Sequence, residues 1–452
     1  MRIFLVGIFI IIHVVMALSL RLAGTPHNHV LLENTLAPHH LNAPEVVAIA
    51  KEYKLRLLQI AIGLSIFSFL MLLPKYEAFV MTLLWVNLLL LSVYYICEIL
   101  YIRKLHRLIV EKNWQLPIEP ILIDTQLIQT KNKKLVSWLW FLPSLALLII
   151  GSVLTLQKDS LTTWPLLFST ALIWLLFIIF WYSLSRLSVR PMTNDQKINR
   201  QYNDLTKHYW SLLTVTGAYM ILPILYLPLF RLDISGWAGK LWVGAGLFIL
   251  IASAFASIGF LLRLRQKQDQ LLSQIPDYRY MGEDQYWRYG VYINPNDTRL
   301  FLPDRIGMNM SVNLGRPVGK LIMGAVGLLL VGVMVAILST SYLYDFTADP
   351  FKFSLEENQV ELTAPLAISS TIPVEKIESV TLIDHINGAV VRTNGYGTEN
   401  YSVGHFQVDG KSANFYLSMQ SKPILLIKTK KTDYYYTNKN PELTKEAYEK
   451  LR

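Results

Sequence analysis

Eight runs of this chain are apolar and long enough to cross a bilayer, and the basic residues between them gather in alternate links. A helix needs about 20 apolar residues to pass through the hydrocarbon core. The runs fall at 3–20, 55–73, 78–101, 135–156, 164–184, 209–230, 238–262 and 321–343. Three links are short, at 74–77, 157–163 and 231–237. The long ones, at 21–54, 102–134, 185–208 and 263–320, carry most of the cations, among them Arg103, Lys104, Arg107, Arg186, Arg190, Lys207, Arg263 and Arg265. Basic flanks stay cytoplasmic. The expectation is therefore an all-α polytopic membrane bundle over 1–343, with the long links inside and the N-terminus and C-terminal region outside. A cleaved signal peptide over Met1–Ser19 would invert every later link and place the basic ones outside, against the charge bias.

Composition agrees. Of 452 residues, 53% are hydrophobic and 16% charged, against roughly a quarter charged in soluble proteins. The single cysteine, Cys97, lies in an apolar run, which excludes an intrachain disulfide framework or a cysteine zinc site. The net charge of +10 clusters beside the spans, a pattern suited to anionic lipid headgroups as partner rather than nucleic acid. No sequence pattern calls for a cofactor.

Polar groups inside the spans are sparse: His13, Asn87 and Glu98. Glu98 precedes Arg103 by less than two turns, so it is expected to snorkel or pair locally. Pro143, Pro223 and Pro228 can kink helices. Gly244, Gly246, Gly324, Gly327 and Gly332 allow close helix approach. No span carries a set of ionisable groups able to relay ions, and no Gly-rich phosphate loop is present. Four imidazoles within fourteen residues, His27, His29, His39 and His40, are the candidate metal ligands, but their spacing matches no defined site. Pro44-Glu45 opens a helical run from Val46 to Leu58 that leads into the second span.

Residues 278–316, within the long link 263–320, interleave Arg279, Arg288, Arg299, Arg305 and Arg316 with Tyr286, Trp287 and Tyr292. Alternation from Tyr286 to Ile293, a turn at Asn294-Pro295-Asn296-Asp297 and a return over Thr298–Leu302 predict a small hairpin under the bundle. Such a hairpin can brace that face, or grip anionic headgroups at about 1 kcal/mol per charge. The block Tyr286-Trp287-x-x-Gly290-x-Tyr292-x-Asn294-Pro295-x-Asp297-x-Arg299-x-Phe301-x-Pro303-x-Arg305-x-Gly307, ending in Asn313, resembles a C-terminal motif of bacterial polytopic membrane proteins related to the SdpI-like immunity proteins. Ala43 to Arg56 and Ile123-Asp124-Thr125 leading into Trp138 are similar to that group as well. The resemblance implies protection against a secreted toxin and signalling of its presence. Residues 157–165 lack the Pro-x-x-Pro-x-His-like outer loop usual in that group.

Residues 344–452 change character to period-two patterning. Strands are expected at 351–355, 358–363, 366–371, 377–383, 389–392, 401–408, 413–418, 423–429 and 432–437, with turns at Glu356-Glu357, Asn387-Gly388, Asn394-Gly395 and Asp409-Gly410. Asn440 caps a final helix from Pro441. Ile372-Pro373, Arg392-x-Asn394-Gly395-x-Gly397, Gly404-x-Phe406 and Pro423-Ile424 to Thr429 resemble the bacterial pleckstrin-homology-like domain, an all-β barrel or sandwich closed by one helix. Such folds bind lipid, peptide or protein partners rather than catalyse. The reading is a non-enzymatic bacterial cell-envelope protein for toxin or peptide immunity or sensing. A transporter or lipid flippase is the alternative, and an intramembrane enzyme the second.

Overall fold

A computed structural model describes residues 2–119, 128–157, 160–226, 237–275 and 279–452. Asp124, Pro228 and the link 231–236 lie outside the described residues. Helices α1 (Arg2–Leu20), α2 (Pro44–Ser68), α3 (Glu77–Leu90) and α4 (Ser92–Glu111) form one group. Pro44 fits the first position of α2, where its missing N–H is not needed. That helix runs unbroken through the expected pre-span segment into the membrane, so the two are one element. Tyr53, Leu57, Tyr94 and Leu105 fill the core of this group.

Helices α5 (Phe141–Leu156), α6 (Ser160–Arg186), α7 (Gln196–Met220) and α8 (Trp237–Leu272) form the second group. Phe141, Trp174, Val215 and Ala218 are buried between α5, α6 and α7. Asp195 caps α7, its side chain accepting from the Ile198 N–H at 2.9 Å. Lys207, on α7, donates to the carbonyls of Leu184 and Leu187 at the end of α6, supplying the positive charge that a helix C-terminus favours. Helix α9 (Pro317–Phe346) leads into the β domain.

Seven of the described helices, or pairs of abutting helices, are long and apolar enough to cross a membrane. The sixth expected span, 209–230, occupies the second half of α7 and a short helix, Leu222–Tyr226, and then leaves the described residues. The first half of α7 is polar, with Lys197, Arg200, Asp204 and Lys207.

The long links fold together at one end of the bundle. A two-residue hairpin joins β1 (Val30–Leu31) to β2 (Asn34–Thr35). Strands β3 (Phe301–Pro303) and β4 (Met310–Val312) pair antiparallel. This corrects the expected hairpin. Residues 286–293 form no strand; Glu283–Tyr286 is a turn of 3-10 helix. The aromatic alternation reflects packing of Trp287 and Tyr292 against Leu187 and Leu302 in a small plug, not a pleated face. The Asn294–Asp297 turn does form, with the Asn294 side chain accepting from the Asn296 N–H.

At the opposite end stands the β domain. A three-stranded sheet, β5 (Lys352–Glu356), β6 (Gln359–Thr363) and β7 (Ser370–Pro373), faces a six-stranded one. The latter comprises β8 (Ile377–Ile383), β9 (Val390–Gly397), β10 (Tyr401–Val408), β11 (Lys411–Ser418), β12 (Ile424–Thr429) and β13 (Thr432–Tyr436), in the order 8-12-13-11-10-9. Only β11 and β13 pair in parallel within it. Helix α10 (Pro441–Glu449) closes the domain against β12 and β8. Phe351, Leu362, Val403, Leu425 and Tyr436 fill the core. The expected turn at Asn394-Gly395 is instead the middle of β9. Gly395 (φ +121°) lies against Gly404, and a Cβ there would meet the Val403 carbonyl oxygen at 2.2 Å. Two glycines facing across a bulged pair let the backbones close together.

Candidate functional site

The densest chemistry lies where the loop after α1 meets the aromatic-arginine block. Residues 22–35 form a strap, and side chains from three distant segments hold it, with Arg265 and Arg305 buried among them. From α8, the Arg265 guanidinium donates to the carbonyls of Leu22, Thr25 and Pro26, and to that of Ile306 in the β3–β4 connection. One turn on, the Asp269 carboxylate accepts from the Asn28 N–H at 2.8 Å and lies 3.0 Å from His27 Nδ1. From the 3-10 turn, the Asp284 carboxylate accepts from the Thr35 N–H at 2.9 Å and from its hydroxyl at 2.6 Å. Arg305, on the β3–β4 connection, donates to the Glu33 carbonyl at 2.7 Å and pairs with Asp284 at 2.8 Å.

Glu33 is the odd member. It occupies the turn between β1 and β2 with φ +57°, after Leu32 at +46°, a region where non-glycine residues are uncommon. Its carboxylate is buried, 3.9 Å from Arg305 Nε. Burial drives its pKa well above the ordinary glutamate range, and Arg305 offsets only part of that. Asp304 is likewise buried and pushed up to about 6, although the backbone N–H groups of Gly307, Met308 and Asn309 favour its charge. Burial also lowers the pKa of His27. For Glu283, burial alone would raise the pKa, but Arg190, Arg305 and Arg299 outweigh it and the carboxyl stays below its usual range.

Between these groups lies a cavity of about 50 Å³, lined by His27, Asn28, Arg190, Tyr202, Asn203, Gln268, Glu283, Asp304 and Arg305. That is room for one or two waters, not for an organic substrate. Asn28 donates to the Tyr202 hydroxyl at 2.9 Å, and Arg190 lies 3.6 Å from Glu283. Gly307 (φ +79°) closes one wall; a Cβ there would sit 2.7 Å from His27 Nε2. The acids and bases neutralise one another in place, so the arrangement fastens three segments and can exchange protons at its buried carboxyls.

Four of the five arginines expected at the surface turn inward. Arg279 is buried and contacts Asn194 and Glu119. Arg299 grips Asp297 of its own turn, Arg305 joins the knot, and Arg316 donates to the Thr298 carbonyl at the start of α9. Arg288 alone of the five is exposed. Trp287 and Tyr292 are fully buried, with Tyr286 packed on Tyr292. The Tyr292 hydroxyl donates to Asp297 at 2.8 Å.

The four histidines do not converge. His27 is in the knot. His29 sits half-buried on the strap, and His39 and His40 lie near the surface with their rings tilted against each other, His40 stacking on Trp114. Among the described residues no group of three or more His, Cys, Asp or Glu side chains could hold a metal ion. In the spans, His13 is buried beside Phe9 and Tyr94. The Asn87 side chain accepts from Ser68 at 2.7 Å and donates to the Leu83 carbonyl. Glu98 is buried under Gly290 rather than paired with Arg103, whose guanidinium stands over the Tyr289 ring. Three acids of the knot, Asp269, Asp284 and Asp304, escaped the sequence reading, and Glu33 stood out only as the one carboxylate among the four histidines. The i, i+4 spacing of Arg265 and Asp269 was the one local signal that both face one way.

The β domain is fastened at the other end of the bundle. Arg2 lies 3.4 Å from Glu77 and 3.3 Å from Glu399. The Asp345 carboxylate accepts from the Ala78 N–H at 2.6 Å, at the start of α3. Ser341 and the Tyr396 hydroxyl are 2.8 Å apart, and Tyr344 of α9 is buried in the β-domain core.

Residues 351–452 match the family described as Bacterial PH domain, and residues 295–320 match a family of unknown function, DUF5808. The second match overlaps the latter part of the aromatic-arginine block and the first residues of α9. No curated protein and no solved structure matches the chain. The chain is thus a membrane-embedded protein with a bacterial PH domain at its C-terminus.

Proposed function

We propose that this is a non-enzymatic sensing or immunity protein of the bacterial cell membrane, with its PH domain outside and the strap knot inside. The observation that carries the reading is α9. Its first turn is locked into the aromatic-arginine block through Arg316 and Gly319, and its last turn is buried in the PH-domain core through Tyr344. One continuous helix therefore joins a partner-binding type of domain to a buried polar assembly at the other end of the bundle, a connection along which a signal can pass. The basic links favour the orientation, and the resemblance of the block to SdpI-related proteins favours a peptide toxin as the stimulus.

The test is a gene deletion complemented with the intact chain or with a chain lacking 351–452. Cells are exposed to a panel of secreted antimicrobial peptides from related strains. Deletion should raise sensitivity to at least one peptide, and only the intact chain should restore resistance. Equal sensitivity of all strains across the panel sinks the reading.

A further inference from the structure

We infer that the groove beside the end of α4 binds a phosphate group, carried by an anionic lipid or by a soluble phosphate. The groove, of about 530 Å³, lies between α4 and the 3-10 turn, and Arg103, His106, Arg107, Arg288 and Tyr289 line it. The three arginines are exposed. Among the described residues none has a carboxylate partner. Asp284, the one acid lining the groove, is already taken by Arg305 and Thr35, and Glu52, on the neighbouring helix α2, is taken by Lys104 of α4. Uncompensated guanidinium groups are the usual ligands of phosphate oxygens because their planar fork matches two of them.

The position along α4 favours the lipid source. Ile96 and Leu100 are exposed apolar residues of the span, and Arg103 and Arg107 follow at helical spacing on the same face. A lipid whose chains lie along Ile96 and Leu100 therefore brings its phosphate to Arg103 and Arg107. Arg103 is held over the Tyr289 ring, 5.4 Å from its centre, and the Tyr95 hydroxyl donates to the Tyr289 carbonyl at 2.6 Å. The aromatic wall is thus fixed before any ligand arrives. The inward turn of Arg279, Arg299 and Arg305 leaves this groove, rather than the whole block, as the headgroup site. The inference does not depend on the sensing role.

The experiment is native mass spectrometry of the full chain, delipidated and then titrated with phosphatidylglycerol or phosphatidylcholine. Thermal unfolding with inorganic phosphate runs in parallel. Arg103→Gln, Arg107→Gln, Arg288→Gln and their combination are compared with Lys133→Gln, an exposed cation outside the groove. Selective retention of phosphatidylglycerol that falls about fivefold per arginine removed, and is unchanged in Lys133→Gln, supports a lipid-borne phosphate. Stabilisation by millimolar phosphate, lost in the same variants, supports a soluble one. Equal retention of both lipids with no phosphate effect, or equal losses in Lys133→Gln, overturns the inference. Each variant's unfolding midpoint without ligand separates lost binding from lost folding.

Discussion

The guanidinium of Arg305 pairs with Asp284 at 2.8 Å and also donates to the carbonyl of Glu33, a residue 272 positions earlier in the chain. One side chain thus ties the strap after the first helix to the link before α9. Removing one partner of a buried ion pair leaves an uncompensated charge, at a cost of about 3–5 kcal/mol. Arg305→Ala is expected to lower the thermal unfolding midpoint sharply and to expose the strap to hydrogen exchange. Arg305→Lys should recover part of the loss, because it keeps the charge but not the fork. Fast exchange confined to residues elsewhere would count against the strap as the element released.

The pH response follows from Asp304. In the fold it holds its proton up to about pH 6, against 3.8 for an ordinary aspartate. Between those values the folded state binds more protons than the unfolded state, so stability falls as pH rises through the window. Glu33, also raised, acts in the same direction from 4.5 upward. Asp304→Asn keeps the acceptor oxygen for Gly307 and Met308 but removes the titration. Unfolding midpoints between pH 4 and 6 should fall less steeply in the variant than in the parent. Parallel curves would show that Asp304 is not the group responsible.

Gly307 meets His27 closely enough that any side chain must push it. Gly307→Ala places a Cβ 2.7 Å from His27 Nε2 and strains a positive φ, with an expected cost of about 1–3 kcal/mol. His27→Ala in the same chain should relieve the steric part. A double-mutant cycle with strictly additive losses would separate the two residues.

Tyr344 anchors α9 in the PH-domain core. Tyr344→Ala opens a cavity and is expected to cost about 3–5 kcal/mol. Because the lost contacts join helix to domain, limited proteolysis near residues 347–350 should speed up before the rest of the chain becomes sensitive. Uniform cleavage across the β strands would mean that the domain itself has unfolded.

Sidedness can be read with thiol reagents, since Cys97 is the single native cysteine and is buried. Ser418 is a poor probe, being only 6% exposed. Its neighbour Met419 is 45% exposed, and Gln285 is exposed at the other end. In a Cys97→Ser background, Met419→Cys should react with an impermeant maleimide in intact cells, and Gln285→Cys only after permeabilisation. The opposite pattern would invert the proposed orientation.

Hydropathy made the helices legible, because span length and apolarity are local properties. The β strands were legible for the same reason, except at Gly395, where a turn-like dipeptide serves a close crossing of two strands, and at the strand expected over 366–371, which instead runs Ser370–Pro373 after a turn that holds Leu366 at φ +57°. The knot was not legible. His27 and Asp269 are 242 positions apart, and nothing near either residue announces the other. Arg279, Arg299 and Arg305 looked like a surface grip because composition records which charges a link carries, not which way they turn. Trp287 and Tyr292 misled similarly: an alternating aromatic pattern fits a pleated strand and equally a plug of irregular backbone whose large rings point inward.

Helix α9 is clasped at both ends, yet its middle is bare, with Leu321, Leu328, Leu329 and Val335 facing outward. Its 30 residues reach about 45 Å, well beyond a hydrocarbon layer of about 30 Å. A rod so held answers to the thickness of the medium around it. Thinning or thickening the bilayer changes its lean, and every change of lean is delivered as leverage to Arg316 at one end and Tyr344 at the other.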